Sequence, residues 1–88
     1  MKPSDVPMPR DDVLFRKLDD GCVLYDPGAG KVHSLNATAA LIWCLIDGER
    51  PLEAIAAEVC ARSNGDAETV LADVLRAADT FARQGLLQ

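Results

Sequence analysis

The chain has little of what catalytic and metal sites are usually made from. Its 88 residues include one histidine, His33, and three cysteines, Cys22, Cys44 and Cys60, too far apart to form any CxxC pair. Structural zinc and dithiol redox centres draw on such close pairs, so neither is expected. An odd number of separate thiols suits a reducing compartment better than a disulfide framework. Nucleophilic catalysis needs a base, a nucleophile and an orienting group brought together. His33 falls in a strand-like pattern beside Ser34, and Cys44 follows Trp43 in the most apolar stretch, where a thiol is expected to be inert. The chain therefore reads as a non-enzyme with no catalytic residue, no metal and no cofactor.

Positive charge is also scarce. Fourteen acidic against nine basic side chains leave a net charge of -5, which repels phosphate backbones unless bases gather on one face. Lys2, Arg10, Arg16, Lys17 and Lys31 are scattered among acids, so no nucleic-acid partner is expected. No apolar run approaches the roughly 20 residues of a membrane span, and the first residues lack the apolar core of a signal peptide. The expectation is no membrane partner and a cytoplasmic location. With only Phe15, Tyr25, Trp43 and Phe81 as aromatics, alanine and leucine must supply most of the core. The length and a hydrophobic content of 49% suit one domain and leave no room for a second.

What is present is organised around Val32 to Gly48. The segment starts as a short strand pattern and changes at Asn36 into apolar residues at helical spacing. The Asn36 side chain suits the N-cap of that helix, and Asp47-Gly48 suits its end. Before it lie two more strand patterns, 12–17 and 22–26, separated by Asp19-Asp20-Gly21 and followed by the turn 26–30, so that 31–35 returns as a third strand of an antiparallel meander. After it, Pro51 opens a helix marked by Leu52, Ile55, Ala56 and Val59 and broken at Ser63-Asn64-Gly65. Asp66 caps a third helix, in which Val70, Leu71, Val74, Ala78, Phe81 and Ala82 recur until Gly85 stops it. Residues 1–10 hold Pro3, Pro7 and Pro9 and no periodicity, and read as a flexible or extended arm. Residues 11–88 form the single domain.

Three strands followed by three helices imply an α+β domain with the helices on one side of the sheet. Such a sheet has two open edges, each able to accept another strand. Val32, Leu35, Val70, Val74 and Phe81 fit either a plain core or an apolar groove between an edge strand and a helix. The acids Asp66, Glu68, Asp73 and Asp79 read as a solvated helix face, with Asp73 placed to meet a basic residue of a partner.

The residues Leu35-Asn36-Ala37-Thr38-Ala39-Ala40, Ile42-Trp43 and Asp47-Gly48, then Ile55, Asp73-Val74 and Gly85-Leu86-Leu87, resemble the PqqD family, the small peptide chaperones of pyrroloquinoline quinone (PQQ) biosynthesis also called RiPP recognition elements. The resemblance spans about residues 9 to 88. It implies a winged-helix-like fold, a three-stranded antiparallel sheet followed by three helices. It also implies a function in post-translational modification, the binding of a precursor-peptide leader by β-strand addition and its presentation to a modifying enzyme, a radical SAM protein or another maturase. Carried onto this chain, the strand partner is Lys31, Val32, His33, Ser34 and Leu35, and the helix wall is Val70, Asp73, Val74, Ala77 and Phe81. Family members often have threonine or a similar cap where Arg50 precedes Pro51. Members also occur beside lasso-peptide enzymes and kinase-like proteins related to the HPr system, so a scaffold or regulatory subunit of such a complex is the alternative. A winged-helix DNA-binding protein is a further one, although Asp66 to Phe81 sets only Arg76 against four acids. The open edge could equally pair two copies into a homodimer.

Overall fold

The structure, a computed structural model, describes residues 1–88. The order is β1 (Leu14–Leu18), β2 (Gly21–Asp26), β3 (Lys31–Asn36), α1 (Ala37–Leu45), α2 (Leu52–Ser63) and α3 (Ala67–Arg83). The strands form one antiparallel sheet in the order β1-β2-β3, so β1 and β3 are its edges. On β2 the alternation is clear. Cys22, Leu24 and Asp26 are buried, and Tyr25 between them is exposed, as a period of two requires when one face is covered. Gly21 is required by a close approach rather than by its backbone angle, since a Cβ there would collide with the Leu35 carbonyl of β3.

Asn36 ends β3 and caps α1, its side-chain oxygen accepting the Ala39 amide at 2.8 Å. The expected helix end at Asp47-Gly48 comes two residues early. The Ile46 amide bonds back to Trp43 O at 3.1 Å, Ile46 is extended, and the Asp47 carboxylate accepts the Arg50 and Glu49 amides. Those two bonds hold the Asp47 pKa below its ordinary value and favour a turn over another helical residue. Gly48 is nevertheless left-handed, with φ 79°, and Met8 packs where its Cβ would be.

All three helices lie behind the buried face, but only α1 brings Cα atoms within 8 Å of the sheet. α2 and α3 pack on each other and on α1. The core therefore runs from Cys22 and Leu24 through Ile42, Trp43 and Leu45 to Leu52, Ile55, Val59, Val74, Ala78 and Phe81. Trp43 and Phe81 meet edge to face, ring centroids 5.4 Å apart at 82°, an arrangement that adds about 0.5–1.5 kcal/mol beyond area burial.

Residues 1–10 make a turn at 2–5, the Asp5 amide donating to Lys2 O at 3.0 Å, and are bonded to the body. α2 begins at Leu52 with no capping side chain, and the arm takes that role, the Leu52 and Glu53 amides donating to Asp5 O and Pro3 O at 2.9 Å each. Further on, Pro9 bridges Leu87, the Arg10 amide donates to Leu86 O and the Gln88 amide to Met8 O. The Arg10 guanidinium grips Asp12, the buried Asp26 (3.0 Å) and Gly85 O (2.8 Å). These contacts join partners up to 80 residues apart, as from Gln88 to Met8, which is why no local pattern announces them.

Candidate functional site

β3 and α3 both pack on α1, and no pair of their own Cα atoms comes within 8 Å. The gap between them is a groove of about 510 Å³. Its apolar lining is Leu35 from β3, Ala39 and Ile42 from α1, and Ala77 and Phe81 from α3. Its polar lining is Ser34, Asn36 and Thr38 at the strand–helix junction, and Asp73, Arg76, Thr80 and Gln84 along α3.

The sequence places these residues by simple periodicities. Leu35 faces inward because its register partner is buried Cys22, and directly paired residues share a face. Asp73, Ala77, Thr80 and Gln84 form one α3 stripe, adjacent to the buried stripe of Val70, Val74, Ala78 and Phe81. Phe81 belongs to both. Its side chain is buried in the core and still forms part of the groove lining.

Of the residues proposed for peptide binding, Ser34, Leu35, Asp73, Ala77 and Phe81 meet in this groove. Val70 and Val74 do not, because they turn into the core. Lys31, Val32 and His33 lie further back on β3, outside the groove, with Lys31 and Val32 exposed and His33 half-buried. The reading of the sequence passed over Asn36, Thr38, Ala39, Ile42, Arg76, Thr80 and Gln84. The signal for the α3 members was available one helical position round from the apolar stripe, where small and polar residues recur.

The α3 rim is largely satisfied within itself. Arg76 Nη2 donates to Asp73 Oδ1 at 2.7 Å, and Thr80 Oγ1 donates to Arg76 O at 3.0 Å. Two side-chain atoms are buried without a hydrogen-bond partner, His33 Nε2 on β3 and Gln84 Oε1 at the groove end. The Cys22 thiol is pushed up in pKa by burial and then by Cys44, which works against its acting as a thiolate nucleophile. Burial alone would raise the Asp26 pKa, but the bonds from the Ala29 amide and Arg10 outweigh it and hold the carboxyl below its ordinary value. Asp26 thus works as an ionised anchor for Arg10. No three of the His, Cys, Asp and Glu side chains are grouped to hold a metal ion, and no helix is long and apolar enough to cross a membrane.

A comparison with curated protein sequences finds no match. Two solved structures are similar over nearly the whole chain. The protein TbiB1, in complex with the TbiA(beta) leader peptide, is 28% identical with a TM-score of 0.82, covering 92% of this chain and 94% of its own. The PqqD truncation of Methylobacterium extorquens PqqCD, a stand-alone RiPP recognition element, is 25% identical with a TM-score of 0.83, covering 99% of this chain and 93% of its own. The sequence model of the family described as coenzyme PQQ synthesis protein D matches residues 21–87. With β2, β3, the three helices and most of the chain inside that match, the protein belongs to the PqqD family.

Proposed function

We propose that this protein is a peptide-binding module that captures the leader of a ribosomally made precursor as a fourth strand on β3 and presents it to a modifying enzyme. The observation that carries this reading is the groove itself. An open strand edge supplies unpaired backbone groups, and the apolar floor beside it supplies a pocket for alternate side chains of an added strand. The family membership and the leader-bound relative support the same reading. Ser34 and Leu35 on one wall and Asp73, Ala77 and Phe81 on the other would touch the peptide. Lys31, Val32 and His33 would pair with its backbone. The protein does no chemistry of its own in this scheme, and the modification is the work of its partner.

The DNA-binding alternative is disfavoured by α3, where Arg76 is paired with Asp73 and Arg83 is the only other base. The test is an amide-shift titration of labelled protein with the precursor peptide encoded nearest to it, followed by single N-methylation along that peptide. Shifts on Lys31 to Leu35 and on the Asp73-to-Phe81 face, with affinity lost at alternate N-methyl positions, are the expected result. Shifts confined to other surfaces, or indifference to N-methylation at every position, would rule out strand addition.

A further inference from the structure

The face of the sheet turned away from the helices carries a row of large apolar side chains that packing does not explain. Leu14 pairs with Tyr25, and Tyr25 pairs with Val32, so the three side chains stand side by side across all three strands. They are 59%, 40% and 62% exposed, although buried neighbours on β2 show that the other face is the core face. The row ends at Val32, on the edge where the peptide strand would be added.

Charge on the sheet is one-sided as well. The strands contain three basic residues, Arg16, Lys17 and Lys31, and none of them is in an ion pair. Their only carboxylate is Asp26, and although it is the register partner of Lys31, its Oδ2 is held by Arg10. Lys31 is therefore left exposed and unpaired at the start of the edge strand. In the helices Arg62 is tied to Glu58 and Arg76 to Asp73, and Arg83 donates to the Thr80 hydroxyl. Asp19 and Asp20 in the β1–β2 turn lie beside Lys17, and the base left without a nearby free carboxylate on the β3 edge is Lys31.

Resting on the strand-addition reading, we infer that the captured peptide is selected on both faces of the sheet, by a large apolar side chain opposite Val32 and a carboxylate opposite Lys31. Residues directly opposite on neighbouring strands share a face, so the first side chain would extend the Leu14–Tyr25–Val32 row to a fourth member. The second would supply the partner that Arg10 withdraws from Lys31. A second copy of this chain is a poorer occupant, since its strands bring the same unpaired cations and no free carboxylate. The ligand is an acidic, alternately apolar peptide, and the groove reads only half of it.

The test is a positional-scanning library of fluorescein-labelled nonapeptides, followed by fluorescence anisotropy at two salt concentrations with the wild type, Val32→Ser and Lys31→Glu. For the wild type, pools with Leu, Val, Phe or Tyr at the position opposite Val32 are expected to bind about two- to fivefold tighter than Ser pools, a typical cross-strand effect. Acidic pools should win at the position opposite Lys31, with an advantage that shrinks in high salt. Val32→Ser should flatten the first preference, and Lys31→Glu should invert the second. Selection confined to the groove-facing positions, untouched by either substitution, overturns this inference while leaving strand addition standing. Binding by no pool counts against strand addition itself and takes this inference with it.

Discussion

The two edges of the sheet differ in what stands beside them. β1 is exposed along its whole length, on both faces, and carries Arg16 and Lys17 at its middle. β3 has His33 and Leu35 half-buried, α1 continuing directly from its end, and α3 across an open groove. Both edges offer unpaired backbone groups, which carry no information about side chains. Charged side chains on an edge strand, as on β1, are a common protection against unwanted pairing. The β3 edge adds a groove closed on its far side by α3, which under the proposed function would let it choose among peptides. β1 also borders a hollow, of about 410 Å³ between Phe15 and Leu18 of β1 and Ala37, Ala40 and Leu41 of α1, but Lys17 and Arg62 line it and α3 does not reach it.

The largest break in this comparison should come from Phe81→Ala, which empties both the core and the groove floor. Truncations of this type cost about 3–5 kcal/mol, readable as a loss of urea-unfolding free energy together with loss of peptide binding. Gly21→Ala should cost about 1–3 kcal/mol, because the added methyl drives against the Leu35 carbonyl and displaces β3 from its register. Faster hydrogen exchange in β3 than in α2 would locate the damage. Asn36→Ala removes the α1 cap at the strand–helix junction and should cost about 1 kcal/mol, lowering the melting temperature while leaving the α2–α3 pair intact in exchange experiments. The last effect is confined to acid pH. The folded Asp26 pKa lies below the unfolded value of about 3.9, so the unfolded chain binds the proton first. Its contribution is therefore fully present above that value and is lost as pH falls through the folded pKa. In Asp26→Asn this part of the acid destabilisation should disappear, which a series of melts between neutral and acid pH would detect.

The elements legible in the sequence are those whose cause is local. Asn36 and Asp66 cap the helices that follow them, and the α2 and α3 stripes were visible as residues three and four apart. The arm was not legible as a bonded element, because Pro3, Pro7 and Pro9 carry no period and their segment's partners lie near Leu52 and Leu87. The site divides the same way. Leu35 and Phe81 stood out as apolar residues of an edge and a helix. Arg76, Thr80 and Gln84 did not, because a groove wall on an amphipathic helix lies beside the apolar stripe and looks like ordinary surface. Val70 and Val74 marked the stripe itself, and that stripe belongs to the core.

The arm has a consequence for the order in which the chain folds. The main pairings of the body, β1 with β2, β2 with β3 and α2 with α3, join neighbours in sequence, and contacts of that kind form quickly. The bridge from Pro9 to Leu87 closes nearly the whole chain and has to wait for the body to exist. Bonds made after the transition state leave the folding rate almost untouched and slow unfolding instead. The arm should thus act as a clasp on a structure already formed, lengthening the lifetime of the native state without speeding its arrival.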